Sequence, residues 1–179
     1  MVDRHTRGSG ALAVVPGRGV RRGTGPLRRY TVEVEGGLAI DGPAVAAAVE
    51  RTLADRRSWG AGGRLSFQRV DSGPVAMRVT LASPRTTDRL CAPLRTAGIY
   101  SCASGKRAVV NLHRWENGAV AYRGRLADYR LYVVNHEVGH VLGHGHTSCP
   151  GPGRLAPIMV QQTKGVGRCV ANPHPFPEW

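Results

Sequence analysis

The sequence predicts an α+β fold: a small twisted sheet, few helices and a loop-rich C-terminal part. Three observations lead there. Four segments with strand patterning all lie at or before Trp115, and a helical period appears only over 41–57 and 126–142. The 24 glycines and 12 prolines among 179 residues then leave much irregular backbone between short elements. A chain of this length fits one domain that buries about two-thirds of its unfolded surface.

Residues 1–29 hold glycine, arginine and small residues without periodicity, and they read as a flexible basic arm ahead of a single domain over 30–179. YTVEVE, 30–35, alternates apolar and polar residues as a half-buried strand does. DGPAVAAAVERTLADRR, 41–57, opens with Asp and Pro before an alanine-rich helical run. RLSFQRV, 64–70, and VAMRVTLAS, 75–83, are strand-like, and the short DSGP link between them suits a hairpin or a tight crossover. TTDRLCAPLRTAGIYSCASG, 86–105, reads mostly as loop pinned by its cysteines, and RAVVNLHRW, 107–115, as the last strand. From Leu126 to Leu142 the pattern turns helical. Leu131, Val134, Val138, Val141 and Leu142 share one apolar stripe, with His136 and His140 on the opposite side. Gly143 permits the left-handed turn that ends many helices, and 144–179 carries six of the 12 prolines and little periodicity.

The net charge of +13 raises the question of nucleic acid, but its distribution argues against specific binding. Seven arginines fall in the first 29 residues against one acid, Asp3, and the other basic residues are spread thinly with no one-sided basic helix. Contact between the arm and an acidic cell surface is the better expectation. Cys91, Cys102, Cys149 and Cys169 form no CxxC pair, which disfavours a four-cysteine zinc ribbon. Pairing of neighbours would close loops 91–102 and 149–169 and place the protein outside the cytoplasm; four reduced, buried thiols are the alternative. No stretch reaches the ~18 apolar residues of a membrane span. The first thirty residues show no export signal, so the cysteines and the N-terminus point different ways, and the expected export element lies upstream or is lost.

The chemistry concentrates in NHEVGHVLGHGHTSC, 135–149. His136-Glu137-Val138-Gly139-His140 is HExxH: one helical turn separates two imidazoles that reach one zinc ion, and the intervening Glu points beside the metal. A third ligand is needed. The only acid after Glu137 is Glu178, so a downstream carboxylate is poorly supplied, and Cys149, Cys169, His174 and His144 compete with His146. His146 is the economical choice because it completes HExxHxxGxxH, with Gly143 turning the chain back toward the ion. Met159 follows 13 positions later in APIMVQQ. His5 and His113 are lone histidines explained by surface or packing.

These residues resemble the metzincin clan of zinc endopeptidases, whose HExxHxxGxxH motif is followed by a methionine-containing turn beneath the metal. The likeness to the clan covers 136–159. A wider one, from about Tyr30 to Trp179 and strongest in YVVNHEVGHVLGHGHTSCPGPG and IMVQQTKG, is to an actinomycete-type domain of unknown function with exported, predicted zinc peptidases. The resemblance implies a zincin-like fold with an active-site helix, Zn2+ held by His136, His140 and His146, Met159 in the turn, and Glu137 as general base toward a zinc-bound water. It further implies a monomer acting on peptide or protein substrates, with the strand at 109–113 at the cleft edge. Gln161 stands where several metzincin families carry an assisting Tyr. Two other readings remain: a catalytically silent zincin-fold module that holds peptide or cell-wall material, and a zinc amidase acting on peptidoglycan.

Overall fold

A computed structural model describes Asp3 and residues 5–178. Its strands form one mixed sheet built around β2 (Leu27–Glu35). Along one edge β2 pairs in parallel with β4 (Met77–Ala82), which pairs in parallel with β6 (Arg107–Asn111). β5 (Cys102–Ser104) lies antiparallel to β6 and is the last strand in the order. The other edge of β2 carries β3 (Ser66–Arg69), parallel, at its start and β1 (Leu12–Val14), antiparallel, at its end. β3 and β4 thus flank β2 on opposite sides, and the link between them is a crossover rather than a hairpin.

Register puts Val32, Val79 and Ala108 side by side on the face that meets the main core. Helices α1 (Gly42–Ala54) and α4 (Leu126–Val141) cover that face. α1 starts where the sequence places it: Asp41 caps it by accepting from the Ala44 amide at 3.2 Å, and Pro43 sits in its first turn. Val45, Ala46, Val49 and Leu53 then line its buried side. The opposite face mixes polar groups with a smaller apolar cluster of Ala82, Val109, Cys91 and Cys102. There Glu33 accepts from Thr80 Oγ1 at 2.8 Å and pairs with Arg78 and Arg107 at 3.3 and 3.0 Å.

Four expectations change. The first is the arm. Leu12–Val14 form β1, Val15 enters the core, and the Gly10 amide donates to the carboxylate of the buried Glu35 at 2.8 Å. The apolar triplet is too short to show a period, and its partners in β2 lie 19–23 residues away, so nothing local announces it. Met1, Val2 and Arg4 of the arm lie outside the described residues, as does Trp179 at the other terminus. Second, the stretch read as loop over 86–105 contains the end of α2 (Pro84–Cys91) and all of β5. Ser83 caps α2 and Pro84 opens it, but the helix is polar along most of its length and offers no apolar stripe to read.

Third, the strand expected over 107–115 stops at Asn111, whose side chain accepts from the His113 amide at 2.9 Å and caps α3 (Leu112–Asn117). Residues 109–113 are therefore not a cleft edge: β6 is enclosed between β4 and β5, and β5 is the outer strand. Fourth, the apolar stripe of α4 is wider than expected. Tyr129 and the whole run from Tyr132 to Gly139 are buried, whereas Leu131 is only half-buried. α4 is a central helix, so burial extends round it and includes the histidine side.

Cys91 pairs with Cys102 and Cys149 with Cys169, which suits an oxidising environment. Among the described residues no helix is long and apolar enough to cross a membrane.

Candidate metal centre

The last turn of α4 presents His136 and His140 on one face, as a separation of four residues requires. Leu142 ends the helix, its amide still bonded to the Val138 carbonyl at 2.9 Å. Gly143 then takes φ of +96°, which glycine adopts without the steric cost other residues meet. The His144 amide donates back to the Gly139 carbonyl at 2.9 Å, so the chain reverses within one turn and His146 returns to the helix face. The Thr147 amide, bonded to the Met159 carbonyl at 3.1 Å, fixes where that return ends.

His136, His140 and His146 meet with ring centroids 4.8, 5.4 and 4.6 Å apart for the pairs 136/140, 136/146 and 140/146. One ligand nitrogen from each lies within 4.8 Å of the others, and the Nε2 atoms of His140 and His146 are 3.0 Å apart. Four-coordinate zinc with bonds of ~2.0–2.1 Å needs its donors roughly 3.4 Å apart. The outward nitrogens are also held in place. His136 Nδ1 donates to the Ile158 carbonyl at 2.8 Å and His140 Nδ1 to the His144 carbonyl at 2.9 Å. A proton kept on Nδ1 leaves the Nε2 lone pair free, the state a metal ligand requires. The three histidines are thus a group able to hold a metal ion.

Other sequence candidates fall away from this group. Cys149 and Cys169 are consumed in their disulfide, and His174 lies outside it. His144 contributes its carbonyl to His140, while its ring stacks on Trp59 with centroids 4.5 Å apart.

Met159 lies in a tight turn closed by the Val160 amide on the Pro157 carbonyl at 3.0 Å. Its sulfur is packed under the helix so closely that a Cβ on Gly139 would stand 2.5 Å from Sδ and 2.6 Å from Cζ2 of Trp59. Gly139 is therefore the residue that lets the 157–160 turn approach α4. The same turn supplies the Ile158 carbonyl to His136, so helix, turn and imidazole are one packed unit.

Glu137 is buried, and burial pushes its carboxyl up to about 8. Its Oε2 has no hydrogen-bond partner. Burial also pushes His136 down to about 4, helped by the neighbouring His140 and His146 and opposed by the Ile158 carbonyl. His136 is accordingly neutral at pH 7, the form that binds metal.

All four groups border a cavity of about 390 Å³. One side is formed by 94–96 and by 100–103 leading into β5, the other by Gln161, Thr163 and Lys164. The family model described as a protein of unknown function, DUF3152, matches residues 3–177. The chain belongs to the DUF3152 family. No curated protein shows a match to it. In this DUF3152 chain the sequence pattern located the histidines but not what surrounds them. Tyr132, one turn before His136, donates its hydroxyl to the Val160 carbonyl at 2.9 Å, accepts from the Gln162 amide at 2.8 Å and lies 3.3 Å from His136 Nδ1. Its position four residues before His136 was the one available signal. Trp59, which donates Nε1–H to the Asn135 carbonyl at 2.9 Å, had none.

Proposed function

We propose that this protein is a zinc-dependent endopeptidase of metzincin-like architecture, with His136, His140 and His146 as metal ligands and Glu137 as general base. The observation that carries this reading is the pairing of three converging imidazoles, two with their Nδ1 atoms occupied, with one buried carboxylate oxygen that nothing else uses. A purely structural metal site has no need of that oxygen, which argues against the silent binding module. Support for the metzincin-like architecture comes from the Met159 turn beneath the helix and from the antiparallel outer strand β5 beside the cavity.

When bound, zinc would supply Lewis-acid polarisation of the peptide carbonyl and a water acidic enough to lose its proton near neutral pH. The protein's own groups do the rest. Glu137, desolvated and with Oε2 free, would take up a proton at that oxygen and return it to the leaving amine. Without metal, burial keeps this carboxyl in its protonated form up to about pH 8; a dication held by the three histidines would favour the ionised form that a general base requires. An extended peptide would lie along β5, adding main-chain hydrogen bonds to the outer strand.

Elemental analysis of the purified full chain with its disulfides intact tests the site, with close to one zinc per chain expected. Glu137→Ala should retain zinc and lose peptide cleavage, and His146→Ala should lose both. Folded protein that takes up no zinc, or Glu137→Ala protein that still cleaves, refutes the proposal. Cleavage of purified cell wall in place of peptides would instead make the protein an amidase.

A further inference from the structure

The cavity beside the three histidines carries charge of one sign at its rim. Glu137 is the only acid among its lining residues, and it sits at the floor. Arg95 and Lys164 line the two sides, one from the 92–101 loop and one from the loop after Met159. Both are exposed, unlike Glu137. Lys164 is held over the Tyr100 ring, its Nζ 5.3 Å from the centroid, and donates to the neutral amide of Gln161 at 3.4 Å. Asp88 of α2 accepts from two groups of the 92–101 loop, the Thr96 hydroxyl and the Gly98 amide at 2.8 Å. The remaining polar lining at Thr96, Ser101, Gln161 and Thr163 is uncharged.

Elsewhere on the chain several arginines have carboxylate partners, as in Arg69 with Glu50, Arg57 with Asp55 and Arg130 with Glu116. Arg95 and Lys164 have none among the described residues, although they face the one cavity that holds the metal-ligand group. Two cations around a cleft of limited size form a site for an anion delivered by whatever enters it. A peptide carries one such anion at each Asp or Glu side chain and another at its C-terminus.

Building on the endopeptidase reading, we propose that the cleft selects peptides with a carboxylate close to the scissile bond, held by Lys164 and assisted by Arg95. The two cations add directional, charge-assisted hydrogen bonds to the sequence-independent pairing along β5, so they set specificity while β5 sets orientation. Because both are exposed, their effect is screened by salt.

The test uses the zinc-loaded full chain and matched hexapeptides that differ only by Asp against Asn or Glu against Gln at each position, with free and amidated C-termini. Binding is measured by calorimetry on Glu137→Gln protein, which leaves the peptide intact, and cleavage on the wild type. A carboxylate at one position should raise affinity and kcat/KM about tenfold over the amide, the low end for a hydrogen bond to a charged group. That ratio should fall below about threefold in Lys164→Gln, invert in Lys164→Glu, and shrink between low salt and 0.5 M salt. Dependence on the side-chain pairs assigns the anion to an acidic residue, and dependence on amidation to the C-terminus. Cleavage with no charge preference, or a preference unchanged in Lys164→Gln and Arg95→Gln, overturns this inference and leaves the peptidase intact. Charge-selective binding without wild-type cleavage supports it and overturns the peptidase instead.

Discussion

Replacing Gly139 by alanine sets two physical effects against each other. On helix propensity alone the change stabilises a helix interior by about 1 kcal/mol. At this position the new Cβ stands 2.5 Å from Met159 Sδ and 2.6 Å from Trp59 Cζ2, both inside any contact a real methyl group tolerates. The thioether can shift, but the indole cannot do so cheaply: it is buried, bonded through Nε1 to the Asn135 carbonyl, and stacked on His144. Overpacking of a filled core typically costs 1–3 kcal/mol, and the two contacts here place Gly139→Ala at the upper end or beyond. The net expectation is a destabilisation of about 2 kcal/mol, or a Tm roughly 4–8 °C lower for a chain of this size. Metal binding should weaken as well, because pushing Met159 away carries the Ile158 carbonyl from His136. Thermal unfolding followed by circular dichroism, with and without saturating zinc, measures both effects. A variant as stable as the wild type, or more so, would show that the 157–160 turn does not press on the helix as described.

His144→Ala removes the stack on Trp59 and should cost about 0.5–1 kcal/mol in urea unfolding, yet leave zinc stoichiometry unchanged, since the carbonyl and not the ring serves His140. Loss of zinc in this variant would exchange the roles of 144 and 146. Breaking Cys149–Cys169 as the double serine variant releases a closure of 20 residues, expected to cost ~3 kcal/mol by chain entropy. The Met159 turn lies inside that loop, so zinc should also dissociate faster, as read with a chromogenic chelator. The third expectation concerns acid. Burial raises the Glu35 carboxyl, but hydrogen bonds from the Ser83 amide, the Thr86 hydroxyl and the Gly10 amide outweigh it and hold the group below its ordinary value near 4.5. A depressed carboxyl stabilises the fold fully above its unfolded value and ceases to do so as pH falls through the folded one. Hydrogen exchange at the Gly10 and Ser83 amides should accelerate as pH drops below about 4.5 by more than the intrinsic rate change, and Glu35→Gln should abolish the extra dependence. Equal protection of these amides at pH 3 and pH 6, after correction for intrinsic rates, would refute the clamp.

What the sequence made legible follows from how local each signal is. Asp41 and Pro43 announce α1 because a cap and its helix are neighbours in the chain, and HExxHxxGxxH is readable because all its geometry is compressed into one helix turn and one reversal. β1 escaped because its reason for existing is β2 and the Glu35 carboxylate, both distant in sequence. α2 escaped because a short helix held by a cap, a proline and a disulfide needs no apolar period. The breadth of burial on α4 was invisible for the opposite reason: tyrosines read as ambivalent in a pattern, yet Tyr122, Tyr129 and Tyr132 cluster here with centroids 5.5–5.8 Å apart. The cavity walls come from segments far apart in the chain, so only the fold shows that Arg95 and Lys164 share a rim.

The polar interior behind the histidines bears on whether the site is functional or incidental. Gln162 accepts from the Tyr122 hydroxyl at 2.8 Å and from the Asn172 amide at 3.0 Å, and donates to the Asn172 carbonyl at 2.8 Å. Asn172 in turn donates to the carbonyls of Ala156 and His174 at 3.0 and 2.8 Å. Asn135 accepts from Ser58 at 2.8 Å and donates to the Pro173 carbonyl at 3.0 Å. These buried groups are satisfied, as they must be where each orphan costs about 1–3 kcal/mol. Glu137, amid this thrift, leaves Oε2 without a partner. Thr31 Oγ1, Arg107 Nε and His174 Nδ1 are orphans too, but none of those residues lines the cavity. An apolar residue at 137 would relieve the cost without disturbing the helix, so packing gives no reason for a carboxylate there. The general-base role proposed for Glu137 does.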